Sequence, residues 1–130
     1  MTFNISYNDN YKIEVKEKYE GTKEYSEYVK KTKNYSSSKW DAVNAGLNEI
    51  FYQFSIYLKS DISFDSLEVQ ELVIKLQKYI TDNYYACTDD ILFGLSNMYV
   101  NDERFKHNID KHLEGTAFYV MNAIKFKVKK

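Results

Sequence analysis

The sequence predicts an all-α protein, a compact bundle of about five to seven helices, and three observations support that prediction. Apolar side chains recur at spacings of three and four residues along most of the chain, which is the period of a buried helix face. The 130 residues include no proline and only four glycines, so little interrupts long helices. The alternation typical of a half-buried strand occurs over no convincing length.

The two longest predicted helices occupy the middle of the chain. The first follows candidate N-cap residues at Ser36–Ser38 and runs for roughly six turns. Its apolar stripe comprises Trp40, Val43, Leu47, Ile50, Phe54, Tyr57 and Leu58. The second is predicted from Asp65, because Glu68 follows three positions later in a pattern close to a capping box. Its stripe comprises Leu72, Val73, Leu76, Tyr79 and Ile80.

Three further helices are predicted in the C-terminal third. Thr88 is the expected N-cap of the first, because Asp89 and Asp90 follow it in the turn where acids interact favourably with the helix dipole. A short helix is predicted from Asp102, and Gly115 is expected to open the last helix. The stripes predicted on the first and last of these helices comprise Ile91, Leu95, Met98 and Tyr99, and Phe118, Met121, Ile124 and Val128.

The first 39 residues have a different composition from the rest. Six tyrosines stand among polar residues, and apart from Met1 the aliphatic side chains are Ile5, Ile13, Val15 and Val29. Because such a segment buries little apolar area, its own folding free energy is expected to be marginal. We expect short helices around Tyr11–Tyr19 and Thr22–Lys33 that are weakly ordered and loosely held on the bundle.

Charge and composition exclude several classes of protein. The net charge is -1 and Arg104 is the single arginine, which argues against direct contact with nucleic acid. One cysteine, Cys87, allows no internal disulfide and fits a reducing compartment. No run of about 18 apolar residues and no signal peptide is visible, so we expect a cytoplasmic protein without a membrane partner.

No catalytic or metal-binding constellation stands out. Nothing in the sequence brings Cys87 together with His107 or His112, and the two histidines are five residues apart rather than four. We therefore expect no enzyme activity, cofactor or metal. The surplus of aromatic residues, with 13 tyrosines and 8 phenylalanines, favours a module that binds a large, flat or apolar ligand.

The second half of the chain carries motifs that resemble the TipAS antibiotic-recognition domain, the effector-binding half of TipA-type activators in the MerR class. The motifs are Tyr85-Ala-Cys87, Met98-Tyr-Val100, Asp102-Glu-Arg-Phe105 and Asn108-Ile-Asp110. Upstream, the family positions fall without gaps on Tyr19-Glu-Gly-Thr22, Tyr25, Lys31-Thr32, Tyr35 and Trp40. The likeness spans roughly residues 11–126, so we expect a short extension over residues 1–10 and one recognition domain over residues 11–130.

The resemblance implies a globin-like arrangement of helices that reversibly binds large, apolar, ring-rich compounds, thiopeptide antibiotics among them, in a cleft. It also implies an N-terminal part that is poorly ordered until the ligand arrives. Ligand contacts are expected from Tyr19, Tyr25, Trp40, Tyr85, Cys87, Asp90, Ile91, Gly94, Met98, Tyr99 and Phe105. An interaction or oligomerisation module that uses the same cleft, including a homodimer, stays open as the alternative, as does the choice between sensing and sequestration.

Two of these positions depart from the family pattern. Tyr19 replaces a tryptophan, and Gly94 stands where thiostrepton-binding members carry a cysteine that captures the ligand covalently. Without that thiol, reversible binding is expected. Structural alternatives also stay open at this stage, with Cys87 and Trp40 as core residues, Asp90 as a dipole partner and Gly94 as a point of close helix packing.

Overall fold

The computed structural model describes residues 21–129, and the helix expected around Tyr11–Tyr19 lies outside them. Within the described part the chain forms helices and no strands, which confirms the all-α prediction. In chain order the helices are α1 (Lys23–Thr32), α2 (Ser37–Lys59), α3 (Leu67–Asn83), α4 (Asp89–Asn101), α5 (Glu103–Asp110) and α6 (Thr116–Val128).

Side-chain N-caps fix where most of these helices begin. Ser66 Oγ accepts a hydrogen bond from the backbone N–H of Val69 at 3.3 Å, and Thr88 Oγ1 accepts one from Ile91 at 3.2 Å. The cap predicted at Asp65 is therefore wrong by one residue, because its carboxylate instead accepts a hydrogen bond from the serine hydroxyl two positions earlier. Caps of the same kind begin α1, α2 and α5, at Thr22, Ser36 and Asp102.

The helices share one apolar core, in which α4 packs along α6 while α2, α3 and α6 contact one another. Most predicted stripe positions of α2, α3 and α4 are buried, namely Val43, Leu47, Ile50, Phe54, Leu72, Val73, Leu76, Ile80, Leu95 and Tyr99. The stripe positions that pack at the margin of the core are Trp40, Tyr57, Leu58, Tyr79, Ile91 and Met98. None of the helices between residues 21 and 129 is long and apolar enough to cross a bilayer.

The stripe predicted for α6 is partly wrong. Phe118 is 54% exposed, whereas Ala117 and Val120 are fully buried together with Ile124. These three buried positions are spaced by three and four residues, so the face that packs is set partly by a small residue. The left-handed backbone of Gly115, with φ of 94°, opens α6 as predicted.

Candidate functional site

Five aromatic rings form one connected group where α1, the start of α2 and the residues after α3 meet. We call this group the aromatic cluster; it consists of Tyr25, Tyr28, Tyr35, Trp40 and Tyr84. Trp40 is its centre, with ring centroids 6.3 Å from Tyr28, 5.0 Å from Tyr35 and 6.4 Å from Tyr84. Tyr25 stacks on Tyr28 at 6.0 Å and extends the cluster along α1.

The cluster has a buried base and a partly exposed outer layer. Tyr84 is fully buried at its base, while the other four rings are half-buried. Burial, and secondarily the neighbouring Tyr25, raises the pKa of Tyr28 to about 12, so its hydroxyl remains a neutral hydrogen-bonding group at physiological pH. Such rings offer apolar faces to a ligand together with polar tips.

Two of the predicted ligand-binding residues, Tyr25 and Trp40, meet in this cluster through Tyr28. Tyr19 lies outside the described residues. The site prediction did not include Tyr28, Tyr35 or Tyr84. The spacing of three between Tyr25 and Tyr28 was a signal that both rings share one face of α1.

Four of the predicted residues on α4 occupy its outer and marginal faces. Ile91 and Met98 are half-buried, and Asp90 and Gly94 are exposed. Apart from its chain neighbours and the nearby backbone of its own helix, a Cβ placed on Gly94 would meet no atom of the described residues within 4 Å. Close helix packing therefore does not explain this glycine in the described structure. Asp90 lies in the first turn of α4, where its carboxylate interacts favourably with the helix dipole.

Three further predicted residues lie inside the core. Tyr85 and Tyr99 are 0% exposed and Phe105 is 1% exposed. The Tyr99 ring packs edge-on against Phe51 at 5.3 Å and lies 6.3 Å from Phe105. In this structure these residues support the scaffold of α4 and α5, and their contact with a ligand stays a prediction.

Cys87 is buried, and its side chain belongs to the apolar core. Its backbone N–H donates to Thr81 Oγ1 at 3.1 Å, and its carbonyl accepts from Gln77 Nε2 at 2.9 Å. Burial is the main cause that raises the pKa of Cys87 to about 11, so the thiol is neutral at physiological pH. The interpretation of Cys87 as a small core residue fits this geometry. Among residues 21–129, no group of three or more His, Cys, Asp or Glu side chains could hold a metal ion.

A separate hollow on the outer side of α5 differs in character from the aromatic cluster. Its volume is about 280 Å³, and charged or titratable side chains line it, namely Glu103, Lys106, His107, Asp110, Lys111 and Glu114. With acids and bases interleaved and no aromatic wall, this hollow is poorly suited to an apolar ligand.

Comparisons with known proteins agree on one family. A sequence profile of the TipAS antibiotic-recognition domain matches residues 11–126. The HTH-type transcriptional activator TipA of Streptomyces coelicolor is 30% identical over 116 residues, which cover 89% of this chain and 46% of that protein. The activator mta of Bacillus subtilis is 32% identical over 114 residues, which cover 88% of this chain and 43% of that protein. The chain thus spans less than half the length of these relatives.

The fold of a solved relative is also similar. The structure of TipAS from Streptomyces lividans in complex with nosiheptide, a thiopeptide antibiotic, matches with a TM-score of 0.86 at 28% sequence identity. The match covers 98% of this chain and 90% of that chain. It confirms the predicted globin-like helical arrangement.

Proposed function

The chain belongs to the TipAS antibiotic-recognition family, and we propose that it binds a large, ring-rich antibiotic of the thiopeptide class at the aromatic cluster. The observation that carries this proposal is the near-complete structural match to TipAS in complex with nosiheptide. The cluster supports it independently, because connected, half-buried rings suit a ligand that is itself rich in rings.

Affinity in this proposal comes from buried ring surface and is partly offset by ordering of the N-terminal part. Thr32 is the buried residue of α1, and Tyr28 packs half-buried against the core, so much of the surface of this helix stays open to solvent. A ligand that covers the half-buried rings of Tyr25 and Tyr28 would bury more apolar surface of α1. Binding and ordering of the N-terminal part are therefore coupled.

We also propose that binding is reversible and that no catalytic step follows it. Position 94 offers no thiol, and the thiol of Cys87 is buried and neutral at physiological pH. Residues 11–130 form the recognition domain in this proposal, and residues 1–10 are an extension. The activators among the relatives favour sensing over sequestration as the use of this recognition.

Native mass spectrometry and calorimetric titration with nosiheptide test the proposal. We expect a one-to-one complex that adds only the mass of the intact ligand and dissociates on denaturation. Tyr28→Ala should weaken binding, because it removes the ring between Tyr25 and Trp40. Phe118→Ala is the matched control, since Phe118 is an exposed ring on α6 outside the cluster.

Two outcomes would contradict the proposal. The first is the absence of binding to nosiheptide and to a panel of other thiopeptides. The second is equal weakening by Tyr28→Ala and Phe118→Ala, which would place the ligand away from the cluster. Self-association without any ligand binding, measured by sedimentation, would instead favour the oligomerisation module.

A further inference from the structure

α1 attaches to the bundle through polar side chains that contact the C-terminal end of α3. Lys31 Nζ donates a hydrogen bond to the carbonyl of Thr81 at 2.9 Å, and the Tyr35 hydroxyl donates one to the carbonyl of Asn83 at 2.9 Å. Both carbonyls belong to the last turn of α3, where backbone acceptors lack partners within the helix. The segment around α1 therefore acts as a C-terminal cap for α3.

A third hydrogen bond, in which the side chain on α1 is the acceptor rather than the donor, completes the attachment. Glu27 Oε2 accepts a hydrogen bond of 2.8 Å from the backbone N–H of Ala86, three residues beyond the end of α3. Glu27 and Lys31 are one helical turn apart on α1, so both side chains reach the same stretch of backbone. One of them accepts and the other donates, which fixes the direction in which α1 lies on residues 81–86.

These contacts supplement a limited apolar contribution, to which the half-buried Tyr28 is the main contributor described. Thr32 is the one buried residue of α1, and Val29 is 45% exposed. Hydrogen bonds that involve a charged group are the stronger kind, yet both of these are open to solvent. Water can therefore replace both hydrogen bonds when α1 undocks.

The attachment also positions the outer rings of the aromatic cluster. Tyr28 follows Glu27 directly, and its ring contacts Trp40, while Tyr25 stacks on Tyr28 from the same helix. When α1 undocks, both tyrosines leave the cluster. Tyr35 and Tyr84 still have their own contacts with Trp40.

We propose that Glu27 and Lys31 are positioning residues that hold α1 on the end of α3 and thereby set the affinity of the aromatic cluster for its ligand. The affinity step rests on the proposed function, whereas the docking step does not. A ligand that needs all five rings binds only the docked fraction, so the apparent Kd is the intrinsic Kd divided by that fraction.

The docking step is tested without ligand on the full chain. Lys31→Met keeps an aliphatic side chain but removes the donor, and we expect hydrogen-exchange protection of the α1 amides to fall about threefold or more. The fluorescence of Trp40, the single tryptophan, should change as Tyr28 moves away. The melting temperature of the remaining bundle should stay within error of the wild type.

Lys78→Met is the matched control for the docking step. Lys78 is exposed and pairs at 3.0 Å with Asp82, which belongs to α3 itself rather than to α1, near the same end of α3. We expect no change in α1 protection for this variant. Equal protection in Lys31→Met, Glu27→Ala and wild type would overturn the docking step.

The affinity step is tested by titration with nosiheptide. Lys31→Met and Glu27→Ala should each raise the apparent Kd by about threefold to tenfold. Glu27→Gln keeps an acceptor oxygen, so its affinity should be close to that of the wild type. The double variant should raise the apparent Kd by at least the product of the single effects, because both changes lower one docking constant and the docked fraction of the wild type cannot exceed one. If Glu27 and Lys31 only stabilised the fold, their loss would lower the melting temperature, and Glu27→Gln would not regain affinity at an unchanged melting temperature.

Each remaining outcome decides a different claim. Lost α1 protection with an unchanged Kd would overturn the link between docking and affinity. If the wild-type chain bound no thiopeptide, the proposed function and the affinity step would both fail. Lost α1 protection in the same variants would then still support Glu27 and Lys31 as the residues that position α1.

Discussion

The Tyr79 ring fills the space that a side chain on Gly46 would occupy, and its hydroxyl donates a hydrogen bond of 2.7 Å to the carbonyl of Val43. A Cβ at position 46 would lie 2.7 Å from Tyr79 Cζ and closer still to the hydroxyl oxygen. The glycine therefore permits close contact between α2 and α3. Gly94, the other glycine within a helix, has no such neighbour among the described residues.

These two glycines predict opposite effects of the same substitution. Gly46→Ala should lower the free energy of unfolding by about 1–3 kcal/mol, because the methyl group displaces the Tyr79 ring and breaks its hydrogen bond. Gly94→Ala should raise it by about 0.5–1 kcal/mol, because alanine is the better helix former and meets no obstacle. Urea unfolding of both variants measures the difference. A stabilising Gly46→Ala would show that the helix contact is looser than described.

Position 94 also provides a test of where the ligand lies. Gly94→Cys places a thiol on the exposed face of α4, whereas the thiol of Cys87 stays buried. With a thiopeptide that carries a dehydroalanine, we expect the thiolate to add to the alkene and form a carbon–sulfur bond, while the neighbouring carbon takes up a proton. Intact-mass spectrometry should show this adduct for Gly94→Cys and none for wild type. A reversible thiopeptide complex without an adduct would place the ligand's reactive group away from α4.

Asp110 connects α5 to the start of α6 and predicts a stability effect. Its Oδ1 accepts a hydrogen bond of 2.8 Å from the backbone N–H of Ala117, in the first turn of a helix that lacks a side-chain N-cap of its own. Asp110→Ala should cost about 0.5–2 kcal/mol of the free energy of unfolding, measured in urea. Asp110→Asn keeps an acceptor and should cost less.

The variant Lys106→Met removes the ion pair of Asp110 but keeps the hydrogen bond that caps α6, so it measures the two contributions separately. Lys106 Nζ lies 3.0 Å from Asp110 Oδ2 at a half-buried position, and because the lysine side chain is 40% exposed, the loss of this pair should cost less than the loss of the cap. If Lys106→Met were as destabilising as Asp110→Ala, the ion pair rather than the cap would be the source of the stability.

The buried thiol of Cys87 and the buried phenol of Tyr119 predict that the free energy of unfolding falls at high pH. Burial is the largest cause that raises their pKa values, to about 11 for Cys87 and about 12 for Tyr119, above ordinary values of 9.0 and 10.0. Between the ordinary and the raised pKa, the unfolded chain binds fewer protons than the folded one. The free energy of unfolding therefore falls as pH rises from about 9 to 12, and these two groups have no effect below that range.

Urea titrations at several pH values from 8 to 11 measure this slope. Cys87→Ala should flatten the fall between about pH 9 and 11, because it removes the thiol proton from the linkage. In the native protein at pH 8 the thiol should also react slowly with a disulfide reagent and quickly after unfolding. A fast native reaction would contradict the buried, neutral thiol.

Local signals predicted more of this structure than long-range ones. Thr88, Asp102 and Gly115 were predicted as helix starts because capping depends on a few neighbouring residues. At the start of α3 the capping-box pattern places the cap at Asp65, whereas the hydroxyl of Ser66 is the group that caps the helix. The prediction is wrong by one residue because Ser66 is also a residue type that caps helices well.

Tertiary contacts explain what the sequence did not predict. Phe118 has the size of a core residue, but α6 packs through the face that carries Ala117 and Val120. The aromatic cluster joins residues from Tyr25 to Tyr84, and no periodicity relates positions so far apart in the chain. The resemblance to a family indicated Tyr25 and Trp40 individually, and only the folded chain shows which rings lie between them.

The hydrogen bonds that attach α1 join side chains from the α1 segment to main-chain atoms at the end of α3. The acceptors and donor at residues 81, 83 and 86 are backbone groups that every non-proline residue supplies. Substitutions at exposed positions such as Asp82 and Ala86 should therefore keep these hydrogen bonds. Substitutions of Glu27, Lys31 or Tyr35 should not, because their side chains make the bonds. The residues that receive α1 can thus change in sequence while the helix that carries the outer rings stays in place.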